Sequence, residues 1–483
     1  MHRAYGWIRS HLIWVITLSL IVALLLGSGV WFFIRTNAHS VNGVLVTGPA
    51  FVALLDRDTG KQIWRHQTNL NSHQAGINTY QPGTAADAPL VSNGLVYVLT
   101  QTEHASNGVS YTEATYTLEA LNLANGTLQW SWGWKGRSMW KNPPVLADGV
   151  VYLSESTLTG NIASPSAYQG FVVALRASDG HQLWKTSLAG LLSPATVADN
   201  AIYLSNGKAL LALSTGDGHQ IWQYQPADGG MSYYSPLALL EGLAPAIIVQ
   251  SQVYLETRES DYNVLYDLVA LNPQTGRMAW RYRSQGILTT PVLAKNTVYV
   301  NVQLNQNLSV VALNTGTGAV VWTYRTSFPR LEHPVLDNGV LYLEEELTPP
   351  SGTSDVVALQ ANNGHVLKRY TPPESFEGLS AFTVGQQALY LTVGLLGTPG
   401  AEAVIALNPA TGAEVWNTLP IPHLSSGLSV IASQNHVYVV AAQTSPGSST
   451  GSSTLIVFQA DSGKQLWSYG TSDQMYAMVT QTP

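Results

Sequence analysis

An all-β propeller is the fold this sequence predicts, and three observations predict it. A short pattern recurs nine times: an apolar triplet, a polar turn ending in Gly, then an aromatic position four residues after that Gly. A Tyr recurs in an apolar run upstream of eight of the copies. Short β-branched and aromatic runs, divided by Gly, Asn and Asp turns, fill the chain, and no long helical period follows the N-terminus. Repeats spaced by roughly 40–50 residues belong to propellers or solenoids. Four short strands per repeat make one propeller blade.

The elements follow in chain order. Residues 1–11 carry Arg3 and Arg9. Residues 12–34 contain no charged residue, long enough for one membrane-spanning helix. Only Arg35 follows closely, so the positive-inside rule predicts residues 1–11 in the cytoplasm and the rest on the extracytoplasmic side. The apolar stretch exceeds the ordinary core of a cleaved signal, and Trp31-Phe32-Phe33 suits an interfacial anchor. An uncleaved anchor at the cell membrane is therefore expected. Residues 35–43 form a short stalk, and residues 44–483 form the propeller.

Within the propeller the Gly–Trp pairs are Gly60/Trp64, Gly126/Trp130, Gly180/Trp184, Gly218/Trp222, Gly276/Trp280, Gly316/Trp322, Gly412/Trp416 and Gly463/Trp467. The Gly316 copy is stretched, with Gly318 at the usual spacing. A ninth copy ends in Gly364 and has Lys368 where Trp belongs. The second-strand Tyr residues are Tyr97, Tyr152, Tyr203, Tyr254, Tyr299, Tyr342, Tyr390 and Tyr438, with Leu45 in that place in the first unit. Aromatic rings at one repeated position fill the wedge between neighbouring blades, so these Trp residues are read as architecture. The first unit has no first strand of its own. An eight-bladed ring with an accessory N-terminal piece is preferred, because larger rings are rare. The alternative is nine blades, closed by residues 475–480 as a late strand.

Composition narrows the function. Charged residues are 11% of the 483, net charge is −7, and there is no basic footprint for nucleic acid. Cys is absent, which excludes disulfides, a haem attachment motif and thiolate metal sites. No nucleophile elbow or zinc-protease motif occurs. His73 and His104 stand alone in polar segments, short of a zinc set. Glu155, Glu256 and Glu344 fall at comparable places after the second strands, but no calcium-loop motif accompanies them. No catalytic, cofactor-binding or metal residue is assigned.

The wording Val-Ala-Leu-Asn-x-x-Thr-Gly-x-x-x-Trp, from Val269 to Trp280 and, with Ile405 first, to Trp416, resembles the tryptophan-docking repeat of the PQQ-like β-propeller superfamily. The resemblance spans roughly residues 41–483 and implies one of two functions. Quinoprotein dehydrogenases hold pyrroloquinoline quinone and Ca²⁺ on the ring axis. BamB-like scaffolds bind proteins and lack the cofactor. Alcohol dehydrogenases of the first branch stack the quinone on a disulfide between adjacent Cys residues, which a chain without Cys cannot form. A sugar dehydrogenase using the quinone and Ca²⁺ stays as the alternative. The expected function is a non-catalytic, BamB-like platform for extracytoplasmic proteins, with wall glycan as a further alternative ligand.

Strand order places the binding face. In a four-stranded meander, turns between strands one and two and between three and four share one face of the ring. The remaining loops share the other. The first class is tight throughout, as in Ser92-Asn93-Gly94 and Asp337-Asn338-Gly339. Long insertions fall in the second class, over 66–87, 101–116, 131–141, 154–170, 223–235, 256–267, 344–355 and 441–454. Residues 443–454, rich in Ser, Gly and Thr, are read as flexible. Non-repeat aromatics concentrate in these insertions: Trp132, Trp134 and Trp140 in one, Tyr233 and Tyr234 in another, Tyr262 and Tyr266 in a third. Such rings anchor proteins and stack on sugars. They also pack beneath their own loops, so both readings stay open.

Overall fold

The computed structural model describes residues 23–25, 30–32, 42–48, 51–68, 89–103, 113–137, 142–159, 168–225, 247–249, 252–259, 265–288, 291–294, 296–304, 307–326, 334–346, 354–373, 376–398, 401–421, 428–444 and 451–471. All regular structure among them is β. Nine sheets follow one another along the chain from residue 43. The first has three strands, Gly43–Gly48, Phe51–Asp56 and Gln62–Gln67. The sixth has a fifth short strand, Ile287–Leu288, and the others have four strands in sequence order. The pairings are antiparallel and join consecutive strands, as expected of meanders, except that Ile287–Leu288 pairs with Thr297–Leu304 beyond the intervening Val292–Ala294.

The sequence register is visible in the pairing. In the second sheet Tyr97 pairs with Ala120, which pairs with Trp130. The same Tyr–Ala–Trp ladder recurs at Tyr203, Ala212 and Trp222, and at Tyr299, Ala312 and Trp322. The first sheet substitutes Leu45, Leu54 and Trp64. The small Ala leaves room for the two rings beside it. Tyr203 and Trp222 have ring centroids 5.7 Å apart.

Each Trp crosses to the following sheet and lies on its turn Gly. A Cβ built on Gly180 would stand 2.5 Å from the Trp130 ring, so only Gly fits there, and its φ of 71° is one Gly adopts freely. Trp64 lies on Gly126, Trp130 on Gly180, Trp184 on Gly218, Trp222 on Gly276, Trp280 on Gly318 and Trp322 on Gly364. Lys368 takes the place above Gly412, Trp416 lies on Gly463, and Trp467 returns to Gly60. Gly318 is therefore the docking glycine of its unit, and Gly316 is not. Each indole N–H also donates to a carbonyl of the next sheet, Trp64 to Leu123 at 2.7 Å and Trp467 to Arg57 at 2.8 Å. In four seams the second-strand Tyr hydroxyl donates to the same oxygen as the Trp: Ala177, Pro273, Ala361 and Ala460.

The first unit is thus not an accessory piece. Val44, Val46 and Phe51 are buried with Tyr438, Val457 and Trp467 of the ninth sheet. Leu45, Leu54 and Trp64 are buried with Val96 and Leu121 of the second. Residues 475–480, the proposed closing strand, lie outside the described residues.

Of the apolar span 12–34, only Ala23–Leu25 and Val30–Phe32 are described, as a short antiparallel pair, and the rest of the expected helix lies outside the described residues. No described helix is long and apolar enough to cross a membrane. Residues 451–454, expected in a flexible stretch, pair with 441–444 inside strands Gly451–Gln459 and His436–Thr444. Alternating residues turned to the next sheet, among them Ser453 at 1% exposure, carry the ladder through that polar sequence.

Candidate functional site

The aromatic segment 131–141 is largely strand rather than loop. Trp132 and Trp134 lie on Leu128–Gly136, the outer strand of the second sheet. Polar Ser131, Gly133 and Lys135 made this stretch read as loop. On an outer strand they simply occupy the exposed side and alternate with the rings. Trp130, Trp132 and Trp134 therefore share one face, directed at the third sheet. Both added rings are half-buried against the core that contains Trp130 and Phe171.

Four rings and a cation meet there. Trp134 stacks on Tyr116, its cross-strand partner, with centroids 5.1 Å apart and planes 15° apart. Trp132 lies 5.5 Å from Trp134. Phe171 of the third sheet meets Trp134 edge-on at 5.7 Å. The Lys185 ammonium stands 3.8 Å from the centre of Phe171 and 5.6 Å from that of Trp132. Burial in this apolar setting lowers the Lys185 pKa. Tyr116, Phe171 and Lys185 were not singled out in the sequence. Their signal is cross-strand register, which a linear reading does not contain.

The other predicted aromatics do not join this cluster in the described structure. Tyr266 is in strand Leu265–Leu271 of the fifth sheet, half-buried against Leu268 and Trp280. Trp140, Tyr233, Tyr234 and Tyr262 lie outside the described residues, as do His73 and His104.

Equivalent seams elsewhere are polar. Between the sixth and seventh sheets, Arg369 pairs with Glu345 and donates to the Tyr324 hydroxyl at 3.0 Å. Asp355 is directly opposite Glu345 in the ladder, and both are buried. In the fifth sheet Arg283 holds Asp267 through two bonds of 2.8 and 2.9 Å. Between the first and second, His66 lies 3.2 Å from Glu119.

The three Glu residues weighed for a metal lie in three different sheets. They lie within the second strands rather than after them. Glu344 is two residues beyond its repeat Tyr and Glu155 three beyond, so they project from opposite faces of their strands. Among the described residues no three His, Asp or Glu side chains could hold a metal ion together.

The family model described as outer membrane protein assembly factor BamB matches residues 26–138, 114–259, 260–383 and 397–482. The chain belongs to that family. It is a PQQ-like β-propeller protein, and the docking cycle above is the physical form of the repeat. BamB from Moraxella catarrhalis is similar at 15% identity, covering 82% of this chain and 96% of its own, with a TM-score of 0.45. Quinohemoprotein alcohol dehydrogenase from Comamonas testosteroni is similar at 14% identity, over 69% of this chain and 67% of its own, with a TM-score of 0.40. Dihydro-heme d1 dehydrogenase NirN is similar at 12% identity, over 92% and 76%, with a TM-score of 0.45. No protein of curated function matches the sequence.

Proposed function

We propose that this BamB-family chain is a membrane-tethered, extracytoplasmic scaffold that binds other proteins and catalyses nothing. The observation that carries the reading is the docking cycle. The repeat aromatics are consumed in joining sheets, each indole being bound to a neighbouring carbonyl. What remains free to vary is the loop-bearing face and its rim. Loops on a rigid frame carry function in many folds. The apolar span 12–34 is the tether, and nine blades is the ring size, with residues 475–480 supplying the missing strand of the first sheet.

The Trp132–Trp134–Phe171 seam is the proposed contact nearest that face. Its rings offer a firm apolar surface of the kind that dominates protein interfaces. The Lys185 ammonium adds a point charge beside it.

Site-specific photo-cross-linking from Ser131 and Lys135, the exposed neighbours of the two Trp residues, tests the reading in intact cells. Discrete protein adducts that vanish with Trp132→Ala/Trp134→Ala are expected. Retention of the purified chain on isolated wall polymer, lost in the same double variant, would instead establish glycan recognition. Quinone-dependent sugar oxidation with added Ca²⁺ would overturn the non-catalytic reading.

A further inference from the structure

The place where the chain joins the ring orients the ring. Asn42 precedes the first strand, and its carbonyl accepts from the Arg57 N–H at 3.1 Å. Gly94, Gly149 and Gly339 accept the equivalent bonds from Leu123, Ala177 and Ala361. Asn42 therefore occupies the place of a strand-one-to-two turn. Its side chain also donates to Asp58, in the turn between the last two strands, at 2.7 Å. The chain thus meets the propeller on its tight-turn face. Residues 35–42 span at most about 28 Å when fully extended. Whatever holds residues 12–34 therefore lies close to this face.

The rim beside that point has its own chemistry. The last two strands of every sheet are joined with one extra residue just before the docking position, a β-bulge. The extra residue leaves the ladder, and in the first and ninth sheets it is Ile63, 45% exposed, and Leu466, 37% exposed. Two residues earlier stand Lys61 and Lys464, both exposed. The wording is nearly the same twice: Lys61-Gln62-Ile63-Trp64 and Lys464-Gln465-Leu466-Trp467. No other sheet has a Lys at this place. The two that have it are the two that meet at the junction. Asp58, in the turn before Lys61, is already engaged by Asn42 and lies 3.7 Å from Arg57. A long-stemmed cation beside an exposed aliphatic side chain suits the boundary between lipid headgroups and acyl chains.

We propose that the ring stands on the bilayer surface with its tight-turn face inward, the rim of its first and ninth sheets touching lipid and its loop face directed away. This rests on the reading of residues 12–34 as a membrane tether.

The absence of Cys makes the test direct. Ile63→Cys, Ile221→Cys at the equivalent bulge of the fourth sheet, and Lys208→Cys in a loop-face turn each give one labelling site. The full-length variants are labelled with a donor dye and reconstituted into phosphatidylethanolamine–phosphatidylglycerol vesicles carrying an acceptor on the headgroup. Energy transfer is expected to be several-fold stronger at 63 than at 208, with 221 between them. Adding Lys61→Glu and Lys464→Glu is expected to weaken the signal at 63. Vesicle-bound protein with its strongest transfer at 208, or with equal transfer at all three sites, overturns the orientation while leaving the tether intact. Failure of the chain to float with the vesicles overturns both.

Discussion

At the scale of single residues, the glycines divide into two kinds that look alike in sequence. Gly149 and Gly180 both have φ above 70°. A Cβ on Gly149 would meet nothing within 4 Å, whereas one on Gly180 would strike Trp130. Gly149→Ala is expected to cost roughly 1–2 kcal/mol, the backbone term alone. Gly180→Ala adds displacement of an indole, about 1–3 kcal/mol more. Urea unfolding of both variants measures the difference, and equal losses would show that the ring does not depend on the glycine beneath it. The Trp–Gly spacing was legible in the sequence because a rule of contact fixes both residue types. The bulge residues were not. Ile63 and Leu183 directly precede a repeat Trp, and an extra residue in the ladder turns them out to 45% and 43% exposure. Period-two reasoning fails wherever the period is broken once.

At the scale of the strand and sheet, the seam after the seventh sheet is the exception. Lys368 lies above Gly412 in place of an indole, and its ammonium is 3.5 Å from the Ala410 carbonyl. Compensation comes from two sides. The Tyr370 hydroxyl donates to the Pro409 carbonyl at 2.5 Å. The inner strand Phe376–Val384 is nine residues long and buries Leu379 and Phe382 with Tyr342 and Tyr370. Restoring the repeat with Lys368→Trp is expected to stabilise the protein by about 1 kcal/mol, read as a higher denaturation midpoint. Second-strand tyrosines impose an alkaline limit. Burial pushes the phenols of Tyr97, Tyr203, Tyr342 and Tyr390 up to about 12. Their unfolded values lie near 10, so their contribution is complete below pH 10 and is lost as pH rises towards 12. A melting temperature that falls across that window, less steeply in Tyr203→Phe, is the expected outcome. The misreading of Trp132 and Trp134 as loop residues belongs to this scale as well. An exposed outer strand carries polar residues on one side, and only its pairing distinguishes it from a loop.

At the scale of the whole molecule, the docking contacts form a cycle with no free end. Trp467 is buried to the same degree as Trp222, although it is the last of the series. Replacing either with Ala is expected to cost a similar 3–5 kcal/mol or so. In an open row the terminal Trp would contribute far less, so a small loss for Trp467→Ala would break the cycle. The sequence carried the repeats and the alternative of nine blades. It could not show that the incomplete first unit packs on both sides, because that depends on contacts across more than 400 residues, such as Trp467 to Arg57. The sequence reading weighed ring size alone, whereas the packing of Val44, Val46 and Phe51 against the ninth sheet is a contact between the two ends of the repeat series.

The shared setting of the repeat indoles has an optical consequence. Eight of the fourteen Trp residues emit from nearly the same environment, with the N–H bound to a carbonyl. Their combined emission forms a bright, uniform background that shifts only when sheets part from one another. Intrinsic fluorescence of this protein is therefore a gauge of ring integrity, and an occupant at the Trp132–Trp134 seam would register in the small share that those two rings contribute.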